Sequence, residues 1–211
     1  FSTLEKFRKR QQILADLMKG NHLSLTLVDA NQQQQTITVP AQSHRPLSSL
    51  PFSFWVQILT GIGGFIIGSW VLALRPRDAA ARCFMLTGIG LMTAAFSAAI
   101  YSTRELALPN ELIQWLMWLN HSGSIGFGFA LMALFLFFPQ QLISTRWIIC
   151  IVAGYLCWLL VELTEVISSP HVIMYLPILI LSGLILILIA VQWRKSRGKP
   201  QALAALRWVG L

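Results

Sequence analysis

Long apolar runs, separated by short polar connections, dominate the chain. A helix needs roughly 20 residues to cross a hydrocarbon core of about 30 Å, and signal-peptide cores of about 7 to 15 residues are shorter. Five runs are long enough, and they cover residues 54–74, 80–101, 112–138, 147–167 and 172–193. The pattern therefore predicts a mainly α fold, a polytopic transmembrane helical bundle of about five spans.

The residues before the first run follow a different pattern. Apolar residues recur at helical spacing at Leu4, Phe7, Ile13, Leu14 and Leu17. The segments HLSLTLVD and QTITVP then alternate apolar and polar residues on either side of the turn-rich DANQQQQ, which predicts a helix followed by a β-hairpin. These elements bury too little surface to fold alone, so we expect partner strands upstream of Phe1, after a further span.

This organisation divides the chain into four parts. They are a partial small α+β extracytoplasmic domain over 1–46, a juxtamembrane linker over 47–53, a five-helix transmembrane region over 54–193, and a basic cytoplasmic loop with the start of a further span over 194–211. We expect the chain to be an excerpt of a longer protein.

Composition excludes an ordinary soluble or disordered protein. Of the 211 residues, 55% are hydrophobic and 11% charged, whereas soluble domains carry roughly 25% charged residues. The net charge of +8 comes from 16 Lys and Arg against 8 Asp and Glu. The connections after the successive spans hold three, one, one, no and five basic residues. Because cytoplasmic loops retain positive charge, we predict a multi-pass protein of the cell inner (plasma) membrane with residues 1–53 on the extracytoplasmic side.

Four polar residues inside or at the end of spans are candidates for contact with a ligand or signal. Asn120 and His121 lie within WLMWLNHSGSIGFG, and Glu162 and Glu165 share one face near the predicted outer end of the fourth span. Ionisable groups in a membrane are often functional. The alternative is that they pack between helices or reach interfacial water. A polar pocket of His121, Asn120 and Glu162 is geometrically allowed.

Small residues and basic residues suggest two further roles. Residues of small size at four-residue spacing predict helix packing at Thr60, Gly64, Gly68, Gly90, Ala94 and Ala98. A juxtamembrane basic cluster, without interleaved aromatic residues, predicts contact with anionic lipid headgroups rather than nucleic acid at Arg194, Lys195, Arg197 and Lys199. The three cysteines show no CxxC spacing, so the sequence predicts no metal site, and no cofactor or catalytic motif is evident.

Several of these segments together carry a resemblance. They are the helix with its second strand QTITVP, the linker SHRPLSSLPFSFW, the first span ending in LALRPRD and a later span ending in FLFFP. They resemble the sensory half of multi-spanning bacterial sensor histidine kinases with an extracytoplasmic PDZ-like domain, of the competence-pheromone-receptor type.

The resemblance implies a membrane sensor of a two-component system. Its ligand would be a peptide or extracytoplasmic protein, bound in PDZ-like domains by strand addition. It also implies a homodimer and a kinase region after Leu211 that phosphorylates a cognate response regulator. The chain contains no catalytic motif of such a kinase, so the sequence does not decide whether the protein is an enzyme. The alternative is a transporter or membrane-enzyme subunit with a structural extracytoplasmic domain.

Overall fold

The computed structural model describes residues 2–17, 20, 22–28, 33–40, 47–103, 106–164 and 170–210. In these residues the chain forms seven α-helices and one two-stranded sheet. In order they are α1 (Ser2–Leu17), β1 (His22–Val28), β2 (Gln34–Pro40), α2 (Phe52–Leu74), α3 (Ala79–Ser102), α4 (Asn110–Phe137), α5 (Ile148–Leu163), α6 (Pro170–Ser196) and α7 (Pro200–Gly210). The chain divides into two compact units.

Five helices, α2 to α6, are long and apolar enough to cross a membrane. The prediction of a mainly α protein with five membrane-length helices is confirmed. Their ends lie within three residues of the predicted ones, except at the end of α5. Asp78 sets the start of α3, since its Oδ1 accepts a hydrogen bond of 2.9 Å from the Ala80 N–H, as an N-cap residue does.

The helix α5 ends at Leu163, four residues before the predicted end of the fourth span. The Thr164 hydroxyl donates to the carbonyl oxygen of Leu160 at 2.8 Å, and the Thr164 N–H donates to the same oxygen at 2.9 Å. A hydroxyl bond of this kind also occurs inside α3, where Thr93 donates to the carbonyl oxygen four residues earlier, so it does not by itself end α5. The rest of the predicted span, residues 165–167, lies outside the described residues.

The first unit comprises Phe1–Gln57 and Ser97–Trp118. The predicted hairpin is confirmed: β1 and β2 pair antiparallel, with Leu25 opposite Ile37 and Leu23 opposite Val39. Side chains directly opposite each other share a face of a sheet, and Leu25, Ile37 and Val39 are exposed on theirs. The pattern of apolar residues in this hairpin therefore gives it one apolar face.

The second unit comprises Ile58–Phe96 and Leu119–Leu211, and in it α3 lies between α2 and α4. A Cβ atom placed on Gly88 would lie 2.6 Å from the Gly64 carbonyl oxygen of α2, and one on Gly90 would lie 2.7 Å from the Phe127 nitrogen of α4. Two residues turn a helix through about 200°. These two glycines thus let α3 approach a neighbour on nearly opposite sides.

The basic cluster after the fifth span is only partly a loop. The helix α6 continues to Ser196, so Arg194 and Lys195 belong to its last turn. Positive side chains are favourable there because the C-terminal end of a helix carries partial negative charge. Arg197 and Lys199 follow in the short connection to α7.

Candidate functional site

The helices α4 and α5 bring two of the predicted site residues together. The Nε2 atom of His121 lies 3.6 Å from Oε1 of Glu162, and the two side chains are 10% and 13% exposed. This distance suits an ion pair but exceeds that of a hydrogen bond. His121 and Glu162 therefore face each other, largely buried, without a direct hydrogen bond.

Three buried polar atoms, on His121, on Glu162 and one turn before Glu162 on α5, lack a hydrogen-bond partner within the described part of the chain. They are His121 Nε2, Glu162 Oε2 and Trp158 Nε1. Trp158 precedes Glu162 by four residues, so both side chains lie on one face of α5. A buried polar atom without a partner costs about 1–3 kcal/mol. These groups alone do not account for the association of α4 with α5.

Tyr155 provides a hydrogen bond at the same helix contact. Its hydroxyl donates to the Ser122 carbonyl oxygen of α4 at 3.2 Å. Gly126 leaves room for the ring, because a Cβ atom there would lie 3.3 Å from the Tyr155 oxygen. We did not predict a role for Tyr155. The spacing of Tyr155, Trp158 and Glu162 at i, i+3 and i+7 was the signal in the sequence that they share one helix face.

Asn120 lies next to His121 in the chain but contacts another helix. Its Nδ2 donates to the Ala94 carbonyl oxygen of α3 at 2.8 Å, whereas His121 faces α5. Consecutive residues of a helix point about 100° apart. The structure thus joins His121 with Glu162 and places Asn120 at the α3–α4 contact. Glu165, the fourth candidate, lies outside the described residues.

Four of the six predicted packing residues lie at close helix contacts in the second unit. A Cβ atom on Gly64 would lie 2.7 Å from Leu91 Cδ2, and one on Gly68 would lie 3.1 Å from Met85 Cα. Ala94 and Gly90 contact α4, where a Cβ atom on Gly123 would lie 2.7 Å from the Ala94 nitrogen. Thr60 is exposed in the second unit, and Ala98 is half-buried in the first.

A cluster of polar residues that we did not predict forms hydrogen bonds at the C-terminal end of α4. The fully buried Gln192 of α6 donates through Nε2 to the carbonyl oxygens of Phe135, at 2.8 Å, and Gln140, at 2.7 Å. The last four carbonyls of a helix have no partner inside it, so Gln192 satisfies one of these. Lys199 Nζ donates to Gln140 Oε1 at 3.1 Å.

The four residues of the basic cluster, Arg194, Lys195, Arg197 and Lys199, are exposed. Their side chains are therefore accessible to solvent or to lipid headgroups.

An apolar cavity of about 370 Å³ lies between α3, α4 and α5. Leu86, Ile151 and Leu156 line it, together with Ser122 and Tyr155 from the contact described above. In the described residues, no three His, Cys, Asp or Glu side chains come close enough to hold a metal ion. Comparison with known proteins gives no match to a protein family, a curated protein or a solved structure.

Proposed function

We propose that the chain is the membrane sensory module of a signal-transducing protein, in which α4 relays a change in the extramembrane helix α1 to the contact between α4 and α5. The observation that supports this proposal is a pair of hydrogen bonds between α1 and the first residue of α4. Arg8 Nε donates to Asn110 Oδ1 at 2.6 Å, and the Asn110 N–H donates to Gln12 Oε1 at 2.8 Å.

These bonds attach α1 to the start of a membrane-length helix. The Asn110 N–H is one of the first four of α4, which have no partner inside the helix, and Gln12 satisfies it. Arg8 and Gln12 lie one turn apart on α1, so both reach Asn110 from one face. A displacement of α1 must either carry Asn110 with it or break both bonds.

The helix α4 continues from Asn110 to His121 over about three turns. At His121, the contact with Glu162 has unsatisfied hydrogen-bonding capacity on both side chains. A small shift or rotation of α4, or a change in protonation, alters the energy of such a contact strongly because the surroundings have a low dielectric constant. This makes the α4–α5 contact a suitable two-state element.

The resemblance of the sequence to sensor histidine kinases specifies the proposal further. The α1–hairpin segment would be the last part of a PDZ-like extracytoplasmic domain, and the five spans would form a bundle in the bacterial inner membrane. The stimulus would be a peptide or an extracytoplasmic protein. A homodimer would pass it to a cytoplasmic kinase region and its response regulator, and the basic residues after α6 would contact lipid headgroups.

Phosphorylation by the full-length protein in native membranes tests this proposal. We expect ATP-dependent phosphate incorporation on histidine, and Gln12→Ala and Asn110→Ala should each change its basal level. Gln33→Ala is the matched control, because Gln33 is exposed outside the strands and helices. Absence of histidine phosphorylation from the full-length protein would contradict the kinase assignment. A normal level in both α1–α4 variants would contradict the relay.

A proton-coupled transporter subunit is the second candidate, and the buried His121–Glu162 pair favours it. Ionisable residues inside a membrane mark proton pathways in pumps and transporters. Reconstituted protein would then take up protons along an imposed gradient, and Glu162→Gln would abolish the uptake. Equal proton flux in protein-containing and empty vesicles would exclude this candidate.

A further inference from the structure

The exposed side of the helix α1 carries apolar side chains. Ile13, Leu14 and Leu17 are 59%, 44% and 50% exposed, whereas Gln11 and Ala15 are buried. The residues that α1 turns towards the start of α4, Arg8 and Gln12, are polar. A soluble domain places its apolar helix face on its core. The exposed apolar side of α1 therefore needs another partner.

The position of α1 indicates what this partner is. Gln12 is hydrogen-bonded to the first residue of the membrane-length helix α4. A helix rises about 1.5 Å per residue, so Ile13, Leu14 and Leu17 begin within about 8 Å of that contact along α1. The headgroup region on each side of a bilayer is about 5–8 Å thick. These apolar side chains thus start at the depth of the membrane interface.

The aromatic residues of the same unit support this placement. Phe52 and Trp55 lie in the first turn of α2, Trp115 lies in the second turn of α4, and all three are exposed. Exposed aromatic side chains at the ends of spans are typical of membrane–water interfaces. The first unit therefore carries exposed aromatic residues near the starts of α2 and α4, and α1 is bonded to the start of α4.

Charge specifies the lipid. Lys6, Lys9 and Arg10 are exposed in the half of α1 that precedes the apolar residues. Basic side chains next to an apolar helix face bind anionic headgroups while the apolar side chains enter the acyl boundary. We propose that the exposed side of α1 docks on the bilayer interface, with Ile13, Leu14 and Leu17 inserted and Lys6 and Arg10 on anionic lipid headgroups. This inference does not depend on the sensory role. It requires that α4 spans the membrane and that lipid, rather than the partner strands expected upstream of Phe1, covers the apolar side of α1.

Spin-label accessibility in nanodiscs tests the docking. The three native cysteines are replaced by alanine, and the full chain carries one nitroxide on cysteine at Leu14, Leu17 or Asp16. Asp16 is the matched control, because it lies on the same turn but about 100° or more around the helix from the other two. In discs with anionic lipid we expect greater collision with oxygen than with a water-soluble nickel complex at 14 and 17, and the reverse at 16. Water-like values at both 14 and 17, in protein with native helix content, would overturn the proposal. Low collision with both reagents at these positions, as for side chains covered by protein, would overturn it as well.

Lipid composition tests the role of the basic residues. In purely zwitterionic discs we expect the oxygen-to-nickel ratio at Leu14 to fall at least twofold. In the variant Lys6→Gln/Arg10→Gln, the ratio should be equal in the two kinds of disc. A ratio at Leu14 that is unaffected by anionic lipid in the unmodified chain would overturn the assignment of these side chains to headgroups.

Discussion

The helix α4 contacts α3 mainly through closely packed backbones, whereas its contact with α5 includes two ionisable side chains. Towards α3, glycines bring the backbones together, so that a Cβ atom on Gly123 would lie 2.7 Å from the Ala94 nitrogen. Towards α5, His121 and Glu162 face each other at 3.6 Å. His121 and Glu162 each have a buried polar atom without a hydrogen-bond partner among the described residues.

The difference separates a fixed contact from an adjustable one. In a membrane, helix association depends on close packing and hydrogen bonds, because lipid tails are as apolar as the side chains. A contact between backbones allows little displacement without steric overlap. A contact between two side chains that share no hydrogen bond can shift without steric overlap of the backbones. We therefore expect α3 and α4 to move together and α5 to respond.

The substitution Gly123→Ala should produce the largest effect on stability. The added methyl group would also lie 3.0 Å from the Gly90 carbonyl oxygen, and overpacking of this kind costs about 1–3 kcal/mol. Thermal unfolding in detergent measures the loss. Gly183→Ala is the control, since nothing lies within 4 Å of a Cβ atom there. Equal stability of the two variants would contradict the tight α3–α4 contact.

The next largest effect is expected at the α4–α5 contact. We expect His121→Leu and Glu162→Leu each to destabilise the protein by about 2 kcal/mol, because each leaves the other polar side chain buried without a partner. The double variant should cost less than the sum of the two, with a coupling energy of about 0.5–3 kcal/mol. Unfolding free energies of all four proteins measure this, and simple additivity would show that the two side chains do not interact.

The contact between α4 and α6 gives a third comparison. Gln192→Leu removes the donor that two backbone carbonyls share, so we expect a loss of about 1–2 kcal/mol. Gln201→Leu, at an exposed position of α7, should change the unfolding free energy by less than about 0.5 kcal/mol. Equal losses in the two variants would indicate that Gln192 does not cap α4.

The smallest effect is expected for Tyr155→Phe. It removes one hydrogen bond to the Ser122 carbonyl and keeps the ring, and interhelical hydrogen bonds in membranes average about 0.6 kcal/mol. A loss near this value, measured in the same unfolding experiment, would indicate that the ring supplies most of the packing against Gly126. A loss above about 2 kcal/mol would mean that the hydroxyl itself holds α5 in place.

The sequence predicted the membrane-length helices and the hairpin because both follow from the local order of apolar and polar residues. It also singled out His121 and Glu162, since ionisable residues stand out within apolar runs. It did not predict that Asn120 bonds to Ala94 while His121 faces Glu162. That division depends on which helices are neighbours, and hydropathy does not contain this information.

Contacts between distant residues were equally hidden. Gln12 and Asn110 are separated by 98 positions, and Gln192 and Phe135 by 57. Nothing in the local sequence distinguishes Gln12 or Gln192 from other glutamines. Only the fold brings each of them to the end of α4, where a backbone group has no partner inside the helix. The exposure of Ile13 and Leu17 was also unexpected, because helical spacing predicts one apolar face but does not indicate whether protein or lipid covers it.

The relay from α1 to the α4–α5 contact is tested most directly by nuclear magnetic resonance of His121 in protein that carries ¹⁵N only in histidine. The His121→Asn variant assigns its signals among the four histidines. The account predicts that Gln12→Ala and Asn110→Ala both shift the His121 imidazole signals in nanodiscs, while Gln33→Ala leaves them unchanged. Identical His121 signals in all of these proteins would contradict it.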